Sequence, residues 1–232
     1  MDKNLNGLLR WSIENTAPSN PTPSAETTSF RELPNSEDAP APPKSDLTPE
    51  VMAALFGGPS EADLMKAAIE LITDTDPSIT LEDRMTAFDN FEQLIESLDN
   101  ANNLENLSLW TPLLSLLEHD ERDLRYMAAW CVGTAVQNNV KTQEKLFARG
   151  GIPPLVHLAT HDDEHERVRR KAVYALSSAV RNYQPAMDVA HEELKKKGHG
   201  VEKDTVDAAN MDAVDEVMNG LKEKVAKGKT TA

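Results

Sequence analysis

Cysteine is nearly missing from this sequence. Cys131 is the only one in 232 residues, which rules out an internal disulfide and fits a reducing compartment. Aromatic residues make up only 5% and the hydrophobic share is 39%, so the apolar material must be concentrated in part of the chain if a core is to form. Basic residues are in deficit. With 24 Lys and Arg against 39 Asp and Glu, the net charge is −15. That balance argues against a general nucleic-acid binder, which needs clustered cations to neutralise phosphates, and against an anionic membrane surface. No run reaches the roughly 18 consecutive apolar residues of a spanning helix. The opening MDKNLNGLLRWSIEN has no long apolar stretch and carries an acid early, so a secretory signal is not expected. A cytosolic location follows as the expectation, with the sequon at Asn106-Leu107-Ser108 idle.

Residues 1–15 place Leu5, Leu8, Leu9, Trp11 and Ile13 at near-helical spacing, which predicts a short amphipathic segment. Residues 16–46 are rich in Pro, Ser, Thr and acids and read as a disordered linker, unable to bury enough apolar area to offset the entropy of ordering. From residue 47 to about 190 the periodicity is helical, with no alternating strand pattern. Thr48 followed by Pro49 predicts one helix start, and Ser60 with Asp63 predicts another. Residues 191–206 read as a charged spacer. Residues 207–226 carry Met211, Val214, Val217, Met218 and Leu221 at helical spacing, which predicts a helix capping the array.

The informative feature is self-similarity. LWTPLLSLLEHDERDLRYMAAWCVGTAVQNN returns as GIPPLVHLATHDDEHERVRRKAVYALSSAVRNY, with Pro112 matching Pro154 and Arg125 matching Arg169. A weaker copy, DRMTAFDNFEQLIESLDNANN, aligns Ala87 with Ala128 at nearly the same interval. A period in the low forties marks armadillo or HEAT arrays, whose units bury their apolar faces on one another. Each unit parses into a short first helix, a second opened by proline and a long third. The Gly150-Gly151 break between first and second favours the three-helix armadillo form. The fold class predicted is therefore all-α, an armadillo-like helical repeat solenoid behind a disordered N-terminal linker.

No constellation for catalysis stands out. Cys131 is flanked by Val132, Ala135 and Val136 and aligns with Ala175, so it reads as a packed small hydrophobe; a nucleophile would need a lowered pKa and a nearby base. His157, His161 and His165 would share a face and could bind zinc or nickel if they lay on one helix. The repeat alignment instead breaks the helix near residues 160–164, so a solvated loop is expected and no metal. Paired glycines in LFGGPS and ARGG follow no strand and bring no phosphate-loop lysine, and no cofactor is expected. The basic run in HEELKKKGHGVEK reads as a solvated helix end. What remains is polar residues gathered after the long helices: Asp99, Asn100, Ala101, Asn102 and Asn103; then Gln137, Asn138 and Asn139; then Arg181, Asn182 and Tyr183. Asn can end a helix in the left-handed conformation, or amides recurring along an array can form a ladder facing a partner. The recurrence, with Trp130 and Tyr174 at matching positions, favours the binding surface.

At this point LLRWSIEN, LFGGPSEADLMK, AFDNFEQLIESLDNANNLENLSLWTPLL, MAAWCVGTAVQNN and RRKAVYALSSAVRNYQPAMD together resemble the fungal Fes-type armadillo nucleotide exchange factors of heat shock protein 70 chaperones, relatives of the animal heat-shock-protein-70-binding protein. The likeness runs to about Asp188 apart from the linker and resumes weakly in DAANMDAVDEVMNGLKEK. It implies a cytosolic cochaperone, a monomer with no enzymatic step, whose concave face grips one lobe of the chaperone's ATPase domain and speeds ADP and client release. Carried onto this chain, the contact surface would be Asp99 to Asn103, Gln137 to Asn139 and Arg181 to Tyr183. Leu8, Leu9 and Trp11 would either occupy a chaperone's peptide groove as a client mimic or fold back on the core. One departure is that longer members carry more repeats, whereas periodicity here fades after Tyr183. The competing reading is an armadillo adaptor or transport carrier that binds extended peptides, for which about three incomplete repeats offer little length.

Overall fold

Helices account for every regular element among residues 59–199 and 204–227, which the computed structural model describes. The N-terminal segment with Leu8, Leu9 and Trp11, the linker and the helix expected from Thr48 lie outside the described residues. The helices run α1 (Glu61–Thr73), α2 (Leu81–Ile95), α3 (Leu98–Asn106), α4 (Trp110–Ser115), which continues into a 3-10 turn (Leu116–Glu118), and α5 (Arg122–Val136). They continue as α6 (Val140–Ala148), α7 (Ile152–Thr160), α8 (Glu166–Val180), α9 (Gln184–Lys196) and α10 (Met211–Lys227). Two full armadillo-like units result, α3–α4–α5 and α6–α7–α8, with α1 and α2 standing as an incomplete unit before them.

Local chemistry sets the boundaries. Ser60 caps α1 by accepting from the Asp63 amide at 3.2 Å, as its spacing predicts. Thr80 and Asp83 form a reciprocal capping box on α2, with Thr80 N–H to Asp83 Oδ2 at 2.9 Å and Asp83 N–H to Thr80 Oγ1 at 3.2 Å. The Thr80 hydroxyl, which donates to Asp83 Oδ2 at 2.6 Å, and then the Thr80 amide hold the Asp83 carboxyl below its ordinary pKa. Pro153 and Pro154 sit in the first turn of α7, where the missing amide sacrifices no helical bond.

The three first helices, α3, α6 and α9, end in one way. In each, an amide bonds back five residues: Leu109 to Leu104 O at 2.9 Å, Gly151 to Leu146 O at 3.0 Å and His199 to Leu194 O at 2.8 Å. The residue before that amide is left-handed, Ser108 at φ 59°, Gly150 at φ 68° and Gly198 at φ 74°. This is the Schellman termination, and its third occurrence marks α9 as the first helix of a further unit. His191 to Lys196, which composition assigns to a charged spacer, are the last turns of that helix, with His191 and Leu194 buried. A Cβ on Gly151 would stand 2.1 Å from Leu146 Cδ1, so the turn also needs glycine for close packing.

The units do not have separate cores. One cluster of buried side chains runs from Met65 through Phe88, Trp110, Leu124 and Leu176 to Val225. The long helices α2, α5 and α8 pack side by side, with α5 in the middle and its contact with α8 the most extensive. After α9, the position where a second and third helix would follow is taken by α10, which packs on α8 and α7 and buries Val214, Val217, Met218, Leu221 and Val225.

Candidate partner-binding site

Three long helices side by side produce a shared face, and α5 supplies its centre. Tyr126 and Trp130 stand one turn apart on α5, their rings edge to face with centroids 6.0 Å apart. From α8, the Lys171 Nζ lies 3.5 Å from the Trp130 ring centroid, 5.4 Å from that of Tyr174 and 5.7 Å from that of Tyr126. The Arg167 guanidinium lies 4.8 Å over Tyr126. Cations over aromatic faces at these distances are attracted by the ring quadrupole. Burial pushes the Lys171 ammonium below its usual pKa, against the opposing pull of Glu92.

Small residues and hydroxyls let this cluster assemble. A Cβ on Gly133 would lie 2.4 Å from Tyr174 Cε1, so only glycine there lets the Tyr174 ring lie across α5. The ring's hydroxyl then donates to Gln137 Oε1 at 3.1 Å. On the other side, Thr134 Oγ1 donates to Glu92 Oε1 at 2.7 Å, tying α5 to α2. Two adjoining clefts follow. One of about 410 Å³ is lined by Glu92, Glu96, Trp130, Thr134, Gln137, Asn138 and Tyr174. The next, of about 460 Å³, shares Gln137, Asn138 and Tyr174 and adds residues such as Ser177, Arg181 and Asn182. The face is therefore a groove with Glu92 and Glu96 at its α2 end and Arg181 at the end of α8.

The residues expected at the surface divide into outward and inward groups. Gln137, Asn138, Arg181 and Asn182 line the second cleft. Asn138 (φ 53°) and Asn182 (φ 58°) are left-handed, so both also perform the turn chemistry that Asn tolerates. Arg181 is engaged internally, donating Nε to Ser177 Oγ at 3.1 Å and pairing with Asp215 of α10 at 2.5 Å. Tyr183 is half-buried, edge-on to Phe147 with centroids 6.0 Å apart.

The expectation for Asp99 to Asn103 needs correction. These five residues are not the end of the long helix α2; they are the body of the next helix, α3. Ala101 is 3% exposed, inside the core, and Asn100 is 7% exposed. Asn100 Nδ2 donates to Glu61 Oε2 at 2.8 Å and to Leu94 O at 2.9 Å, which bridges α1, α2 and α3. Asn139 is likewise buried, donating to Asn102 Oδ1 at 3.2 Å. Asn103 accepts from Asn106 at 3.1 Å, and only Asp99 of the five is fully exposed. Buried amides find internal partners because an unpaired one is costly. The alignment of Ala87 with Ala128 already pairs Gln137 and Asn138 with Glu96 and Ser97, and Glu96 does line the groove.

Residues 5–104 match the family described as nucleotide exchange factor Fes1, and residues 100–212 match the SIL1/FES1/HPBP1 C-terminal domain. Among curated proteins, the chain is 63% identical over 227 residues to the Hsp70 nucleotide exchange factor FES1 of Gibberella zeae, covering 97% of this chain and 99% of that one. It is 57% identical to the Hsp70 nucleotide exchange factor fes-1 of Neurospora crassa, over 97% of this chain and 98% of that one. This chain belongs to the Fes1 family. The FES1 of Coccidioides immitis is 47% identical over 96% of this chain and 99% of that protein.

In this Fes1-family chain, the cysteine and histidines weighed above for catalysis or metal binding take structural positions. Cys131 is fully buried, and burial pushes its thiol well above the usual range. His157 lies on α7, His161 ends it and His165 caps α8, accepting from the Arg167 amide at 3.2 Å. The His157 and His161 rings stack edge to face, centroids 4.9 Å apart, so the three histidines do not share a helix. Among the described residues no group of three or more His, Cys, Asp or Glu is arranged to hold a metal, and no helix is long and apolar enough to cross a membrane.

Sequence reasoning missed Lys171, Glu92 and Thr134. A signal existed for Lys171: it precedes Tyr174 by three positions, on the turn that faces Trp130.

Proposed function

We propose that this protein is a cytosolic, monomeric cochaperone that accelerates ADP release from a heat shock protein 70 chaperone by binding its ATPase domain through the groove of α2, α5 and α8. The observation that carries the reading is end-to-end identity of 63% with a protein named for that activity. The groove supports it: polar and aromatic groups converge there, and the exchange mechanism asks this chain for no nucleophile, metal or cofactor. Its outward set would be Glu96, Trp130, Gln137, Asn138, Tyr174 and Asn182, with Asp99 and Tyr183 at the rim.

Exchange of this kind is coupling between two ligands of the chaperone. Binding that favours the open ATPase domain must weaken ADP, and ADP must weaken binding by the same factor. The test is stopped-flow release of a fluorescent ADP from a cytosolic heat shock protein 70, with and without stoichiometric protein. Accelerated release is expected. Binding without acceleration, beside a working control exchange factor, would overturn the reading and leave an armadillo adaptor or carrier.

A further inference from the structure

Among the described residues Lys171 has no carboxylate partner of its own, and in this it resembles Arg167, whose guanidinium lies over Tyr126, and differs from the other cations around it. Arg125 pairs with Glu164, Arg169 with Asp162, Arg170 with Glu166 and Arg181 with Asp215. Among the described residues the contacts of the Lys171 ammonium are the rings of Trp130, Tyr174 and Tyr126. Glu92 is near enough to act on it electrostatically, yet forms no ion pair with it, and the Glu92 carboxylate is engaged by Thr134. A lysine in water usually ranges over many rotamers, and fixing it on binding costs free energy. Here the rings hold the side chain in advance, half-buried, with its N–H donors unassigned.

We infer that Lys171, held on Trp130, receives a carboxylate of the chaperone's ATPase domain and is the anchor of the interface. The inference rests on the proposed exchange function and names the group that makes the contact. Position supports it. The ammonium lies against Trp130 and Tyr174, which line the groove, with Tyr126 beside it, and interface hot spots are well packed and sheltered from water. Chemistry supports it as well. A partner carboxylate meeting a desolvated, pre-oriented cation forms a charge-assisted hydrogen bond stronger than an exposed ion pair. Glu92 and Glu96 at the α2 end repel that carboxylate, which confines it to the α8 side and sets the register.

The experiment is calorimetric titration of an isolated heat shock protein 70 ATPase domain with full-length wild-type protein, Lys171→Met and Lys171→Arg, at two salt concentrations. Lys171→Met keeps the aliphatic stem on the rings and removes the charge. It is expected to weaken binding about 30-fold, the order of a hot-spot loss, and to flatten the salt dependence. Lys171→Arg is expected within about threefold of wild type, since a guanidinium also stacks on Trp. Thermal melts of the two variants should match wild type, which separates a lost contact from a lost fold. Lys171→Met binding as wild type does, or Lys171→Arg as weak as Lys171→Met, would overturn this inference alone. Failure of the wild-type protein to bind would overturn the exchange reading and this inference together.

Discussion

Arg125→Met tests how the loop between second and third helices is held. The Arg125 guanidinium donates to Glu164 Oε2 at 2.6 Å and Oε1 at 3.0 Å, and to the carbonyls of His119 at 2.7 Å and Asp120 at 2.8 Å. One side chain thus ties its own unit's loop to the loop that opens α8. The Glu164 side chain is 7% exposed and that of Arg125 is 19% exposed. Without the arginine, the carboxylate keeps only the His165 amide, at 2.7 Å. Leaving a buried charge without its partner costs about 3–5 kcal/mol, and the partial exposure of Arg125 sets the expectation near ~3 kcal/mol. For an ordered body of this size each kcal/mol moves Tm by about 2–4 °C, so a fall of roughly 6–12 °C is expected by calorimetry at pH 7. Burial raises the Glu164 pKa, but its hydrogen bonds to Arg125 and His165 outweigh burial and leave it below the ordinary value. A depressed carboxylate contributes stability above its unfolded pKa and loses it as pH falls through the folded one. The deficit of the variant should therefore shrink on acidification below about pH 4. A deficit under about 1 kcal/mol at pH 7, or one that does not shrink in acid, would refute the reasoning.

Two further outcomes follow from α5 and the turn after it. Cys131 should resist a thiol reagent in the native protein and react only as urea unfolds it; labelling at the rate of an exposed thiol would show that the site opens locally. Asn138→Gly should leave stability within about 0.5 kcal/mol, because glycine accepts the left-handed backbone, whereas Asn138→Val should cost ~1–2 kcal/mol. Chaperone affinity measured on Asn138→Gly then separates a turn residue from a contact, since unchanged affinity removes the Asn138 side chain from the interface.

Most of the fold was legible because repetition amplifies weak local signals. The matched prolines, the matched arginines and the Ser60 cap each report a boundary through backbone chemistry confined to a few neighbouring residues, and such chemistry survives in one dimension. The Arg125 and Arg169 pair shows the limit of that view. Its spacing marked the repeat, but that both arginines reach carbonyls at the end of the second helix or just after it, Arg169 reaching Ala159 O in the last turn of α7 at 3.3 Å, depends on where the preceding helix returns. The Asp99 to Asn103 stretch shows the limit more sharply. Asparagine has the same letter whether it faces water, bonds a carbonyl across three helices or turns the chain at positive φ, and composition cannot tell these apart.

One-dimensional information therefore settled the all-α class, the repeat period, the packing role of Cys131 and, through motifs matched in order, the family. Periodicity and caps are local properties, and family likeness is written residue by residue. Three-dimensional packing settled the rest: which polar residues face outward, that Gly133 admits the Tyr174 ring, and that Lys171 rests on Trp130 from the next long helix along the chain. Those facts arise where α2, α5 and α8 meet, and contact between distant segments is set by how helices stack rather than by what either segment is alone.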